Sequence, residues 1–415
     1  MTARIHAIYL LESETPAAAA EAIAGEQSSG TFVAIPGETA ELKERAGARV
    51  ERLEELEQVT APSLPVRDGG TGPWRRCRLE VSWPIENLGP SLPNLMATVA
   101  GNLFELRQVS GLRLLDIRLP PAFAAAYPGP AFGIAGTRRL TGVAGRPLIG
   151  TIVKPSVGLS PEATAERVRE LADGGIDFVK DDELQSDGPH CPFDARAEAV
   201  LRVVARAAER SGRKLMYAPN ITGDLDEMRR RHDLVEALGG TAVMVSLNAV
   251  GLAGVIALRR HARLPIHAHR NGWGYLTRHP LLGWSFVAWH KIWRLAGIDH
   301  VHVNGLANKF SEPDDSVVEA ARACQRPLVP DTPCLAMPVC SSGQTVRQAA
   351  PTWAALGSVD LIHAAGGGII AHPGGVRAGV AALHQAWEAA VAGVPVDDHA
   401  RQHVELRQAL AATGA

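Results

Sequence analysis

An α/β chain is predicted, with a C-terminal (β/α)8 TIM barrel preceded by an N-terminal α+β (ferredoxin-like) domain. Three observations carry that prediction. From about residue 147, short apolar runs alternate with amphipathic helical stretches, roughly every 25 to 35 residues. There are eight such runs, the number a parallel barrel needs, within a length of about 250 residues that suits one. Each run is apolar where it starts and polar where it ends. A doubly wound open sheet is the alternative topology, but no G-x-G-x-x-G follows the first run.

The 415 residues are too many for one small core and fit two domains, placed at 1–140 and 141–415. In the first, "RIHAIYLLE" and "CRLEVSWPI" read as strands. "PAAAAEAIAGE", "TAELKERAGARVERLEELE" and "LPNLMATVAGNLFEL" read as helices, and "APSLPVRDGGTGPW" as a Pro/Gly-rich loop. Helices beside a mostly antiparallel sheet make a small α+β domain. "LPPAFAAAYPGPAFGIAGTRRLTG" reads as the connector.

The eight barrel runs are "LIGTIVKP", "IDFVKDDE", "LMYAPNIT", "AVMVSLN", "PIHAHR", "DHVHVNG", "LAMPVCSSG" and "DLIHAAGGG". Helices fit between them; "SPEATAERVRELADGG" opens on a Ser cap and ends at Gly. In a parallel barrel every strand C-terminus opens on one face, which holds the active site. The polar ends in order are Lys154; Lys180, Asp182 and Glu183; Asn220; Asn248; His269 and Arg270; His302 and Asn304; Ser341; and Gly366 to Gly368. One such residue means little, but eight converging ends define a candidate site.

Composition narrows the partners. A formal charge of -2 offers no electrostatic case for nucleic acid or an anionic membrane. No apolar run reaches the roughly 18 residues of a membrane span, and the N-terminus shows no signal-peptide pattern. Five cysteines without C-x-x-C spacing argue against a disulfide framework or zinc cluster, and for a reducing cytoplasm.

Asp182 and Glu183 are hard oxygen ligands suited to Mg2+. Lys180 lies two positions before Asp182, so on an extended strand the two share a face. A protonated lysine repels a metal, whereas a lysine carrying a CO2-derived carbamate is an anionic oxygen ligand. A plain Lys–Asp salt bridge at a strand end is the competing reading. "HAHR" and "HVH" place His267 with His269, and His300 with His302, on common faces of adjacent strands. The Arg270 fork suits phosphate, and the "AAGGG" run lets backbone N–H groups approach one. Lys309, in the polar loop "NGLANKFSE", reads either as the cationic tip of a lid or as a solvated surface lysine.

These residues together resemble the large subunit of ribulose-bisphosphate carboxylase, and specifically the RuBisCO-like (form IV) proteins. "GTIVKPSVGLS" resembles that family's first barrel strand and "GGIDFVKDDE" its second. "IHAHR", "DHVHVNGLANKF", "VCSSG" and "AAGGGIIAHPGG" follow in the family's order, while "GEQSSGTF" and "GNLFEL" resemble N-domain segments of its active site. The resemblance implies a carbamate on Lys180, with Asp182 and Glu183 as Mg2+ ligands. It implies Lys154 as the lysine moving protons at the enolising carbon, His269 as the nearby histidine and Lys309 as the lid lysine. Arg270, His302 and Ser341 would hold one phosphate; Thr31, Gly343, Gly367 and Gly368 would hold the other end. Glu26 and Asn102 would contact the metal-bound substrate and the lid lysine, and Glu26 and Thr31 would complete a neighbour's site in a homodimer. Two departures stand out: Ser156 where the carboxylase has a second lysine, and Phe32 where a tryptophan is usual.

The loss of that second cation removes the case for CO2 fixation. The resemblance implies a Mg-dependent enzyme forming an enediolate from a phosphorylated sugar derivative. Lys309, which suits a departing carboxylate, favours decarboxylation or C–C cleavage of a 3-oxo sugar-acid phosphate (3-oxo-isoapionate-4-phosphate type). Three alternatives remain open. One is a methionine-salvage enolase or isomerase, on 2,3-diketo-5-methylthiopentyl-1-phosphate or methylthioribulose-1-phosphate. The second is a non-catalytic sugar-phosphate-binding relative, and the third a metal-free Schiff-base aldolase using Lys154.

Overall fold

A computed structural model describes residues 3–29, 35–67 and 70–413. The chain divides into two compact units, residues 1–128 with 272–295, and residues 129–271 with 296–415. The division thus falls at 128/129, where the sequence places it at 140/141, and a later excursion joins the first unit.

In the first unit, β1 (Arg4–Ser13), β2 (Arg49–Val59), β3 (Trp74–Pro84) and β4 (Gly111–Arg118) form an antiparallel sheet in the order β4-β1-β3-β2. Helices Pro16–Glu26 and Leu92–Ala100 intervene, which gives the βαββαβ order of a ferredoxin-like domain. The second helix is tied to the sheet by the buried Tyr9 hydroxyl, which donates to the Val99 carbonyl (2.7 Å). The segment read as one long helix, "TAELKERAGARVERLEELE", is a helix only over Ala40–Ala46; beyond Gly47 it is β2. Its Glu and Arg residues favour a helix in isolation. Pairing with β3 reverses that preference by setting Arg52 against Glu80, Glu54 against Arg78 and Glu57 against Arg76. The connector is also partly helical, over Pro121–Ala126 and Gly133–Thr141.

The second unit is the barrel: β5 (Leu148–Ile152), β6 (Phe178–Lys180), β7 (Met216–Ala218), β8 (Val243–Ser246), β9 (Ile266–His269), β11 (His300–His302), β12 (Met337–Cys340) and β13 (Ile362–Ala364). All eight apolar runs are strands. The intervening β10 (Leu282–Trp284) instead pairs in parallel with β4 in the first unit. The barrel strands run parallel in the order β7-β6-β5-β13-β12-β11-β9-β8. A bridge between Asn220 and Met244 joins the two ends of that order.

Leu148, Phe178, Met216, Met244, Met337 and Ile362 fill the interior. Phe178 lies two residues before Lys180, so strand alternation puts the lysine on the same inward face. Below this layer the buried Asp299 accepts backbone N–H bonds from Phe132 (2.6 Å), Gly133 (2.8 Å) and Ile266 (2.8 Å), and pairs with Arg259 (3.1 Å). The Ser160 hydroxyl caps helix Pro161–Asp173 by accepting from the Ala163 N–H (3.2 Å). Among the described residues no helix is long and apolar enough to cross a membrane.

Candidate active site

The end of β6 is the centre of the site. Lys180 is 1% exposed, its Nζ donating to the Asp181 carbonyl (2.8 Å) and lying 3.9 Å from Glu183 Oε2. Burial brings its amine down from 10.5 to about 8, opposed by Glu183, Asp182 and Asp181. Asp182 faces the next strand, where Lys154 Nζ donates to its Oδ2 (2.7 Å) and to Ser156 Oγ (2.7 Å). Burial works to raise the Asp182 carboxyl, but hydrogen bonds from Lys154 and Ser156 outweigh it and hold it below the ordinary value. Asp181 turns away, bonded to the Tyr217 hydroxyl (2.5 Å), Arg196 Nε (3.0 Å) and the Asn220 N–H (3.0 Å). Its role is structural: it fastens the β6 and β7 ends together.

His269, at the end of β9, has its Nε2 3.4 Å from Glu183 Oε2, while its Nδ1 accepts the Asn271 N–H (3.2 Å). Burial, then the neighbouring Lys180, pushes its pKa down to about 3, so the ring is neutral; its Nδ1 also lies 3.3 Å from Asn271 Oδ1. Lys154 with Asp182, and Lys180 and His269 on either side of Glu183, thus form two small groups held side by side by the adjacent Asp182 and Glu183.

A second polar group borders it. His302 Nδ1 lies 2.9 Å from Ser341 Oγ, and its Nε2 lies 2.9 Å from His267 Nε2. Arg270 Nη2 pairs with Glu312 Oε2 (2.6 Å), which also accepts from Asn304 Nδ2 (2.7 Å). Asn304 Oδ1 in turn accepts from Ser342 Oγ (2.8 Å). Asn304 and Ser342 both hold positive φ, 66° and 72°, an uncommon conformation that here serves one hydrogen bond between them. Gly343 (φ 85°) follows directly, with Lys309 Cβ 3.6 Å from where its own Cβ would stand. The Lys309 side chain is exposed, its Nζ 5.2 Å from the Phe310 ring centroid.

Gly367 begins a helix of only four residues, Gly367–Ile370. No atom lies within 4 Å of a Cβ built on Gly367, whereas one on Gly368 would meet the Gln344 carbonyl oxygen at 2.5 Å. In the first unit, Asn102 Nδ2 donates to Glu26 Oε1 (3.4 Å). Thr31 and Phe32 lie outside the described residues.

Glu312, Ser342 and His267 were not among the candidate site residues. Glu312 follows Lys309 by three positions in the same polar loop, and His267 shares a strand face with His269; both signals were in the sequence. Ser342 gave none, because its place depends on its backbone conformation. The cluster His232, Asp233 and His261 has metal-like spacing. However, His232 Nε2 accepts the Arg263 N–H (3.1 Å), so its Nδ1 carries the proton and donates to Asp233 (3.0 Å). In that geometry it is a hydrogen-bonded cluster.

The chain matches the catalytic-domain model of the ribulose bisphosphate carboxylase large chain over residues 133–412, and the N-terminal-domain model over residues 9–123. It is 64% identical, over 413 residues and 99% of each chain, to a 3-oxo-isoapionate-4-phosphate transcarboxylase/hydrolase of Xanthobacter autotrophicus. A 3-oxo-isoapionate-4-phosphate decarboxylase of Rhizobium rhizogenes is 44% identical over 403 residues and 96% of each chain. The crystal structure of a rubisco-like protein from Burkholderia fungorum superposes with a TM-score of 0.93 at 48% identity, covering 98% of this chain and 99% of that one. On sequence and fold alike, the chain belongs to the ribulose bisphosphate carboxylase large-chain family, among its RuBisCO-like members.

Proposed function

We propose that this protein is a RuBisCO-like enzyme that breaks and re-forms the carboxyl bond of 3-oxo-isoapionate 4-phosphate and then cleaves the product with water. It is not a CO2-fixing carboxylase. The observation that carries the reading is 64% identity, across 99% of both chains, to a protein named for that transcarboxylase/hydrolase activity. The more distant relative named as a decarboxylase marks the second reading, in which the CO2 is simply released.

The chemistry fits a 3-oxo acid. When its carboxyl group leaves as CO2, the bonding electron pair stays on the substrate as an enediolate. Re-addition of CO2 at the neighbouring carbon gives a new 3-oxo acid, which water cleaves at a C–C bond. Lys309 supplies a cation for the departing carboxylate, a need that a methionine-salvage enolase does not have. Lys154, held by Asp182 and Ser156, delivers or removes the proton at the enolising carbon. Neutral His269 stands with its Nε2 beside Glu183, within reach of the substrate that these residues would hold. Arg270, His302 and Ser341 take one end of the substrate with its phosphate; Gly343, Gly367 and Gly368 line the other.

The residues also fit a Mg2+ ion. A fully buried lysine whose amine falls to about 8 is far easier to carbamylate than an ordinary one, and two carboxylates stand beside it. Lys180 as carbamate, Asp182 and Glu183 would hold the ion, which when bound supplies positive charge to the oxygens of an enediolate. Glu26 and Thr31 would complete the site of a neighbouring subunit in a homodimer. Relatives described as dimeric and octameric support that assembly. The cysteines are buried and carry no C-x-x-C spacing, which supports a reducing cytoplasm.

The test is to incubate the purified protein with 3-oxo-isoapionate 4-phosphate, Mg2+ and bicarbonate. Two carboxylic acid products with no net CO2 release are expected. Stoichiometric CO2 release would establish the decarboxylase reading instead. Absence of turnover, with enolisation of a diketo phosphate, would overturn both.

A further inference from the structure

We propose that His267 is a positioning residue: it fixes the tautomer of His302 and thereby makes the Ser341 hydroxyl a hydrogen-bond donor to the bound substrate. The inference deepens the reading above and rests on Ser341 touching the substrate's phosphate.

The chain of contacts runs His267 Nε2 to His302 Nε2 (2.9 Å), then His302 Nδ1 to Ser341 Oγ (2.9 Å). His267 is fully buried on β9 and His302 nearly so on β11. Burial drives both rings well below the usual histidine value, so each is neutral with one proton. An Nε2-to-Nε2 contact holds a single proton, and two arrangements satisfy it.

In the first, His267 donates from Nε2. His302 then accepts at Nε2, carries its proton on Nδ1 and donates it to Ser341. In the second, His302 donates from Nε2 and accepts the Ser341 proton at Nδ1, while His267 must carry its own proton on Nδ1. Among the described residues His267 Nδ1 has no hydrogen-bond partner, and the His267 ring packs on the Phe178 ring with their centroids 4.9 Å apart. The second arrangement therefore strands a buried N–H donor, which folded proteins almost never tolerate. The first leaves only a buried lone pair without a donor.

The neighbouring serine sharpens the consequence. Asn304 donates to Glu312 through Nδ2, so its Oδ1 is the acceptor that takes the Ser342 proton. Of the two adjacent hydroxyls, Ser342 has its proton committed. Ser341 receives one from His302, and its own proton has only the long contact to Ser342 Oγ (3.5 Å), which a phosphate oxygen can replace. A phosphate oxygen accepts hydrogen bonds, so a Ser341 that only accepted would oppose it.

Neutron diffraction on deuterium-exchanged crystals reads the assignment directly. Deuterium on His267 Nε2 and His302 Nδ1 is expected; deuterium on His267 Nδ1 and His302 Nε2 would overturn the inference. A functional arm uses inorganic phosphate as the probe. His267→Phe, which keeps a ring but removes the donor, should weaken phosphate binding about tenfold, the scale of one hydrogen bond to a charged group. His267→Gln, whose amide can donate from the same place, should restore most of it. In a Ser341→Ala background, His267→Phe should add no further loss; an equal loss there would show a purely structural role and overturn the inference. If Ser341→Ala alone leaves phosphate binding unchanged, Ser341 as a phosphate contact falls, while the neutron map still decides the tautomers.

Discussion

Replacing Lys180 with methionine should stabilise the metal-free protein while abolishing its function. A buried ammonium is costly because it gives up hydration that its neighbours replace only partly. Lys180 is 1% exposed, and its amine is lowered from 10.5 to about 8. The sign follows from proton binding. Between those values the unfolded chain holds the proton and the folded chain does not, so folding is penalised in full below about pH 8. The penalty fades as pH rises toward 10.5. The difference corresponds to roughly 3 kcal/mol at pH 7, falling to about 1 kcal/mol by pH 10. Methionine has a similar length and no charge, so Lys180→Met recovers much of that penalty at pH 7 and little at pH 10. The measurement is the urea unfolding midpoint of both proteins at the two pH values, in CO2-free buffer with a chelator. A variant less stable at pH 7, or a gap that does not shrink with pH, would refute the reasoning. The same variant should lose all turnover, which makes Lys180 a place where stability is given up for function.

Three further outcomes follow from the geometry. Asp299→Ala leaves Arg259 without its carboxylate and three backbone N–H groups without an acceptor, and should cost roughly 3–5 kcal/mol in denaturant unfolding. Glu312→Gln removes the charge opposite buried Arg270 and should destabilise the barrel by roughly 3 kcal/mol in phosphate-free buffer; added inorganic phosphate should recover more stability in the variant than in the parent. Lys309→Ala, at an exposed side chain, should leave the unfolding midpoint within about 0.5 kcal/mol while lowering kcat by about a hundredfold or more, read by product formation under saturating substrate.

The eight barrel strands were legible because an apolar run bounded by turns is a local signal, and a strand C-terminus in a parallel barrel faces one way. "KDDE" shows how far such signals reach. Alternation alone separated Asp181 from Asp182, and the structure bonds Asp181 to Tyr217 and Arg196. It failed at "RVERLEELE", whose residues favour a helix until β3 sets opposite charges across from them. It also missed the strand Leu282–Trp284, three residues whose place depends on β4, far away in the sequence.

The sequence by itself determined the family, the two-domain order and the set of ionisable residues at the strand ends. Those follow from hydrophobic period and residue type, which are properties of short segments. Only the tertiary structure decided how those residues are committed. Arg270 is paired with Glu312, His302 lies between His267 and Ser341, and Lys180 is stripped of water until its amine falls to about 8. The physical reason is that hydrogen bonding and desolvation depend on distances between residues far apart in the chain, and barrel closure sets those distances.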